Sequence, residues 1–274
     1  MKYIFLDIDG TLYDSSTNSI PKSALKAIEI TRRKGNKVFL ATGRSIGESK
    51  QHLSLDVDGF ILSSGGVIYV NKQRIFTSII SKEEIENLRM LASKFSLGVA
   101  VAGDAGSYID GLSHTYFGKY FGQNLSDGET PDSRLLENGF YSNDYYCEYE
   151  NCGKVTFSTN KFEDLKNFGK TLDDIYDFKV SLESDELQLY FGDVILKSVS
   201  KGEAIKKVLK HLGGSLEDSF AIGDSGNDVD MLKIVKTGVA MGGATAEAKA
   251  AANDITKDIL DDGLYFAFSK YGLI

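Results

Sequence analysis

Two aspartates, Asp7 and Asp9, stand at the end of the apolar run Tyr3-Ile4-Phe5-Leu6. A run without polar alternation reads as a strand covered on both faces. Side chains at i and i+2 of a strand share a side, so Asp7 and Asp9 are expected to start out facing one spot. Two ionised carboxylates that close repel each other, and one loses its charge unless a cation sits between them. Gly10 lets the backbone bend sharply and Thr11 offers a hydroxyl. The stretch reads as a strand ending in a metal site or an acid/base pair, with an acidic turn after a buried strand as the plainer alternative.

Further segments stand at the end of an apolar strand or the start of the following helix: ATGR at 41–44, SKGEA at 200–204 and IGDSGNDVDM at 222–231. Cleavage of a phosphate ester needs a nucleophile, a proton for the leaving oxygen, and positive or hydrogen-bonding partners for the equatorial oxygens. Asp7, Asp9 and Asp224 are hard oxygen ligands suited to magnesium, which would stand between a carboxylate and a phosphate dianion. Thr42 and the amide of Gly43 supply donors, and Lys201 a point charge. Taken singly, TGR is also a strand-to-helix turn and Lys201-Gly202 also a helix start with a solvated lysine. A calcium loop is excluded: counting from Asp224, Gly226 falls at the third position and Val229 at the sixth, where that loop wants glycine.

The elements that would position these residues are legible. Pro21 followed by KSALKAIEITRRKG reads as a helix, with apolar spacing at Leu25, Ile28 and Ile30, late basic residues and Gly35 as stop. Strands are expected at 37–41 and 59–62, the latter closed by Ser63-Ser64-Gly65-Gly66, and a hairpin in VIYVNKQRIFTS turning at Asn71-Lys72. From about 81 to 192 helix patterns (KEEIENLRMLASKF, KFEDLKNFGKTLDDI) mix with strands (KVTFST, KVSL, ELQLYF), which reads as an inserted α+β domain. Alternation resumes with a helix at 201–212, a strand at 219–222, a helix at 227–235, a strand at 238–241 and a small-faced helix in GGATAEAKAAAN. The fold class is α/β: a Rossmann-like parallel sheet with helices on both faces, built from 1–80 and 193–274, plus a cap domain at 81–192. In such sheets ligands bind beyond the carboxyl ends of the strands, where every candidate residue lies.

Composition narrows the function. The 274 residues, 42% hydrophobic and 26% charged, suit a soluble globular chain. No apolar stretch is long enough to span a membrane and no export signal is visible, so a cytoplasmic location is expected. A net charge of -8 without a Lys/Arg-rich face argues against a nucleic-acid partner. Cys147 and Cys152 have no histidine nearby and read as structural or incidental thiols. His52, His114 and His211 are scattered, show no obvious Ser or Cys partner for a triad, and read as surface or packing residues. The aromatic clusters HTYFGKYFG (114–122) and FYSNDYYCEY (140–149) read as packing, with a pocket for a sugar or flat ring as the alternative.

DxDGT, TGR, KG and GDxxND in this order, with a large insert between the second and third, resemble the haloacid dehalogenase superfamily, specifically its Cof-type phosphatases with a large α+β cap. The resemblance covers the core throughout, including GVAMGGA (238–244) and DDG (261–263); the cap matches in position and general character. It implies a magnesium-dependent phosphatase acting on a small phosphomonoester, a sugar phosphate or similar metabolite, through an aspartyl-phosphate. Asp7 would be the nucleophile and Asp9 the general acid/base. Asp7, the main-chain carbonyl of Asp9, and Asp224 would hold Mg2+, with Asp228 in the outer shell. Thr42, Gly43 and Lys201 would hold the phosphoryl group, with Asn227 near phosphate or Lys201. The alternatives are a phosphomutase using the same intermediate and a non-catalytic phosphate-binding module. A monomer or weak homo-oligomer is expected. Ser64-Gly65-Gly66 departs from the usual Asn-Gly-Ala, which points to altered substrate orientation rather than lost chemistry; Arg44 either touches phosphate or braces its loop.

Overall fold

The computed structural model describes residues 1–143 and 151–274. The first elements are β1 (Tyr3–Leu6), α1 (Lys22–Arg33), β2 (Lys37–Ala41), β3 (Gly59–Leu62), β4 (Val67–Val70) and β5 (Gln73–Thr77). Next come α2 (Lys82–Ser93), β6 (Gly98–Ala102), β7 (Ser107–Ile109), α3 (Gly111–Phe121), α4 (Pro131–Glu137) and β8 (Phe140–Ser142). Then follow β9 (Lys154–Thr159), α5 (Phe162–Gly169), β10 (Tyr176–Ser184) and β11 (Leu189–Leu196). The chain closes with α6 (Lys201–Leu212), β12 (Ser219–Gly223), α7 (Val229–Ile234), β13 (Thr237–Ala240), α8 (Ala246–Ala251), β14 (Asp254–Ile255) and α9 (Gly263–Lys270). No helix among the described residues is long and apolar enough to cross a membrane.

These elements form two compact units: Met1–Gly43, Leu55–Phe76 and Ser198–Ile274 make one, Arg44–Ser54 and Thr77–Lys197 the other. The first carries a sheet ordered β14-β13-β12-β1-β2-β3-β4-β5. Its strands are parallel from β14 to β3, and β4 runs antiparallel to β3. From the centre the crossovers step outward in opposite directions, β1 to β2 and β12 to β13. Parallel crossovers are right-handed, so opposite steps put α1 on one face and α7 and α8 on the other. In keeping with this, α1 packs on α9, and α7 on α6 and α8. Ile4, Phe5, Leu6, Val38, Phe39, Leu40, Ala221 and Ile222 are wholly buried between the layers.

Local signals explain most of the boundaries. Pro21 precedes α1, Arg32 and Arg33 fill its last turn, and Gly35 follows with φ +86°. The buried face of α1 is Ala24, Ala27, Ile28 and Thr31, the i, i+3, i+4, i+7 set, whereas Leu25, expected on that face, is exposed. Asn71 and Lys72 both take positive φ at the tip between β4 and β5, the backbone of a two-residue hairpin turn. The helix expected at 227–235 starts later. Gly226–Asp228 is a 3₁₀ turn, because the Asp228 carboxylate folds back onto the amides of Asp224 and Ser225.

The second unit holds a sheet ordered β10-β11-β9-β6-β7-β8, antiparallel except between β7 and β8. The helix expected through KFEDLKNFGKTLDDI stops at Gly169, where a Cβ would strike the Phe178 ring at 2.6 Å. The first aromatic cluster is packing. Phe117 of α3 stacks on Phe191 at 4.5 Å and lies 4.6 Å from Phe140, with Phe121 and Tyr120 closing the group. Cys152 is buried, and burial pushes its thiol up to about 12. Cys147 and the remainder of the second aromatic cluster, 144–149, lie outside the described residues.

Candidate active site

Four parallel strands of the first unit, β1, β2, β3 and β12, end within two residues of one another, and a polar residue follows each. Leu6 pairs with Leu40 on one side and Ile222 on the other. Asp7 follows β1, Thr42 follows β2, Ser63 follows β3 and Asp224 follows β12. Carboxylates and hydroxyls therefore gather where helix amides and loops, rather than ladder partners, satisfy the backbone.

Lys201 organises the centre. Ser200 caps α6 by accepting from the Glu203 amide at 3.1 Å, which fixes Lys201 as the first helical residue. Its side chain is buried, and Nζ donates to Asp7 Oδ1 at 2.6 Å, Asp228 Oδ1 at 2.6 Å and Asn227 Oδ1 at 3.0 Å. An ammonium has three N–H groups, so each has an acceptor. Burial works against its charge, but the carboxylates of Asp228 and Asp7 outweigh it and raise its pKa. Lys201 is a permanent cation here.

Asp7, Asp224 and Asp228 each place an oxygen within 4.8 Å of the others, with Asp7 and Asp228 buried and Asp224 partly so. Burial first, then the charge of Asp228, holds the Asp7 carboxyl well above the usual range, against the pull of Lys201. The same causes push Asp224 up to about 6. Three carboxylates against one ammonium leave an excess of negative charge in a desolvated site. An all-oxygen donor set with that excess fits a hard divalent cation.

The surrounding loops are fitted to this group. Thr11 Oγ1 donates to Asp224 Oδ1 at 3.3 Å, and Thr245 donates its amide to the Asp224 carbonyl at 2.8 Å. Gly10, at φ +79°, leaves no room for a side chain, since a Cβ would stand 2.4 Å from Asp224 Oδ2. Ser225 Oγ donates to Asn227 Oδ1 at 3.0 Å, which orients the asparagine towards Lys201. Asp230, unmarked in the sequence reading, accepts from the Gly202 amide at 3.1 Å and ties α7 to the start of α6.

Asp9 stands apart from the buried group. Ladder pairing of β1 ends at Leu6, and Gly10 turns the chain at once, with its amide donating to Tyr13 O at 3.0 Å. Strand alternation does not reach Asp9, whose side chain is exposed while its charge still acts on Asp7. Thr42 is buried, donating its amide to Ile61 O at 2.8 Å and accepting from the Ser64 amide at 2.9 Å. A Cβ built on Gly43 would lie 3.4 Å from both Asn227 Nδ2 and Ser64 Oγ, so Gly43, Ser64 and Asn227 adjoin. Ser63 and Ser64 both adopt left-handed φ, 49° and 54°, a costly conformation for residues with a Cβ. Arg44 belongs to the other unit, where Nη1 donates to Glu48 O at 3.3 Å.

From residue 4 to residue 268 the sequence matches the haloacid dehalogenase-like hydrolases. The chain belongs to that family. Two relatives cover all or nearly all of its length. YkrA of Bacillus subtilis (strain 168) is 30% identical over 275 residues, covering 100% of this chain and 98% of YkrA. The pyridoxal phosphate phosphatase YbhA of Escherichia coli (strain K12) is 27% identical, covering 96% of each. A solved sugar phosphatase of subclass IIB superposes with a TM-score of 0.78 at 26% identity, covering 100% of both chains. The α/β fold with an inserted second sheet is thus the haloacid dehalogenase fold, and the protein is a hydrolase of that family.

Proposed function

We propose that this hydrolase is a magnesium-dependent phosphatase that cleaves a small phosphomonoester through an aspartyl-phosphate on Asp7. The observation that carries the reading is the buried group of Asp7, Asp224 and Asp228 around Lys201, in the first turns beyond the parallel strands. Relatives that act on a sugar phosphate and on pyridoxal phosphate support a small phosphorylated metabolite as substrate.

Each residue has a distinct task. Asp7, Asp224, the main-chain carbonyl of Asp9 and, farther out, Asp228 would hold Mg2+. When bound, the ion offsets the repulsion between these carboxylates and an incoming phosphate dianion. Lys201 fixes one oxygen of Asp7 and leaves the other for attack on phosphorus. The Thr42 hydroxyl and the Gly43 amide donate to phosphoryl oxygens. Of the three Lys201 contacts, that to Asn227 is longest, and it is the one that a phosphoryl oxygen would displace. Asp9 is exposed, as a group that must meet a leaving oxygen and later a water has to be. It would protonate the departing alkoxide, then take a proton from the water that hydrolyses the Asp7 ester, returning both residues to their starting states. The inserted stretch 81–192 would choose among substrates while the strand-end residues perform the chemistry.

Phosphate release from a panel of sugar phosphates and pyridoxal phosphate, with and without magnesium, tests the reading. Release of inorganic phosphate only with the metal is expected. Isomerised substrate without released phosphate, or no turnover of any ester, would overturn it.

A further inference from the structure

Beyond β3 the chain makes the turn Ser63–Gly65, and two of its residues carry side chains on a backbone that favours none. Ser63 has φ 49°, and Ser64 has φ 54° with ψ 27°, both left-handed. Glycine takes this conformation freely, whereas a Cβ makes it strained. The turn is nevertheless firmly held. The Ser64 amide donates to Thr42 O at 2.9 Å and the Gly66 amide to Ser63 O at 3.0 Å. Gly65, at φ +106°, lies so close to the start of α6 that a Cβ would stand 2.3 Å from Ser200 O. This packing accounts for Gly65 but not for a side chain at position 64. A glycine there would make the same backbone bonds without the strain.

The Ser64 hydroxyl has no hydrogen-bond partner among the described residues, although Ser64 is only 9% exposed. It adjoins Gly43, 3.4 Å from where a Cβ on that glycine would stand, and Asn227 Nδ2 lies 3.4 Å from the same point. The Asn227 carbonyl oxygen is occupied by Lys201 and Ser225, while Nδ2 has no acceptor among the described residues. Two donors of the first unit, one from the turn after β3 and one from the turn before α7, therefore meet beside Gly43 with nothing to accept from them. Polar groups shielded from water are ordinarily paired, and an NH2 can only donate. The ligand that completes this pair must bring acceptor oxygens, as a phosphoryl group does.

We propose that Ser64 is a further phosphoryl-binding residue, its hydroxyl donating beside Asn227 Nδ2 to a phosphoryl oxygen. The proposal rests on the phosphatase reading, in which Thr42 and Gly43 hold other oxygens of the same group. The strained backbone is what turns the hydroxyl towards Gly43, as strain at functional sites often does. The atom contacted is shared by every phosphomonoester and by free phosphate, so the contact strengthens binding of substrate and product alike. A contact made equally in the ground and transition states lowers KM and leaves kcat alone.

Three variants separate the hydroxyl from the backbone that carries it. Ser64→Ala keeps the Cβ and its strain but removes the donor, Ser64→Gly removes both, and Ser64→Asn restores a donor on a residue that tolerates the left-handed region. With nitrophenyl phosphate and magnesium, Ser64→Ala and Ser64→Gly are expected to raise KM and the inhibition constant of inorganic phosphate together. The rise should be about tenfold, the scale of one hydrogen bond to a charged group, with kcat within about twofold. In Ser64→Gly the melting temperature should hold or rise, which separates the loss of binding from any loss of fold. Ser64→Asn should recover most of the binding. Both constants unchanged in Ser64→Ala and Ser64→Gly would confine Ser64 to packing and overturn the proposal. A rise in KM without one in the inhibition constant would place the hydroxyl on the leaving group and overturn it equally; either result leaves the phosphatase reading intact. A wild-type protein that neither turns over the ester nor is inhibited by phosphate would overturn both.

Discussion

Lys201 Nζ lies 2.6 Å from Asp7 Oδ1, joining residues 194 positions apart in sequence. Both are buried, and the same ammonium also meets Asp228 at 2.6 Å. Breaking a buried pair from one side leaves uncompensated charge, which typically costs about 3–5 kcal/mol. Lys201→Met should therefore lose about that much in urea unfolding of the metal-free protein. A loss under about 1 kcal/mol, the range of an exposed pair, would mean that the ammonium does not neutralise this site.

Asp7→Asn should abolish turnover, because an amide is a poor nucleophile. The neutral side chain suits a position where burial and Asp228 already disfavour the charge. Metal-free stability should then change by no more than about 1 kcal/mol. Phosphate release by this variant near the wild-type rate would contradict nucleophilic attack by Asp7.

The residues at the strand ends were legible in the sequence because each follows an unbroken apolar run whose partners lie on the same sheet. Asp7, Thr42 and Asp224 needed only the rule that parallel sheets bind ligands beyond their carboxyl ends. The conformation of Ser64 was not legible: nothing in Ser63-Ser64-Gly65 marks a left-handed serine, and its neighbours Gly43 and Asn227 come from distant stretches of the chain. Helix α3 was hidden by its own composition, since GLSHTYFGKYF has two glycines and no clean apolar stripe; tertiary contacts of Phe117 hold it. Leu25 misled because it matched the helical spacing, while the smaller Ala24 and Ala27 face the core.

Asp224→Ala should raise the magnesium concentration needed for half-maximal activity by at least about tenfold, the scale of losing one charged oxygen ligand. Its melting temperature without metal should barely fall, because the wild-type carboxyl is itself pushed up to about 6 by burial and by Asp228. Unchanged metal dependence would place the ion elsewhere.

Acid stability should run through Asp58. Its carboxylate accepts from the Val38 amide at 3.0 Å, Lys37 Nζ at 2.9 Å and Arg32 Nε at 3.1 Å. Burial opposes ionisation, yet these partners bring its pKa below the ordinary 3.8. A depressed folded-state value stabilises above the unfolded value and loses that contribution as pH falls through the folded one. The stability gap between wild type and Asp58→Asn should be full at neutral pH and shrink below about pH 4. A gap that grew on acidification would contradict the assignment.

Transfer of phosphate to Asp7, with Asp9 managing the protons, is most directly tested by acid quenching. Nitrophenolate leaves without a proton, so Asp9→Asn should still phosphorylate Asp7 with nitrophenyl phosphate and magnesium. Breakdown of the ester needs a base, which the amide cannot be, and general base catalysis is typically worth about 10²–10⁴ in rate. The variant should release a burst of nitrophenol near one equivalent, and mass spectrometry of the quenched protein should find the phosphate on Asp7. A steady, burst-free reaction with no phosphate on Asp7 would contradict the aspartyl-phosphate mechanism.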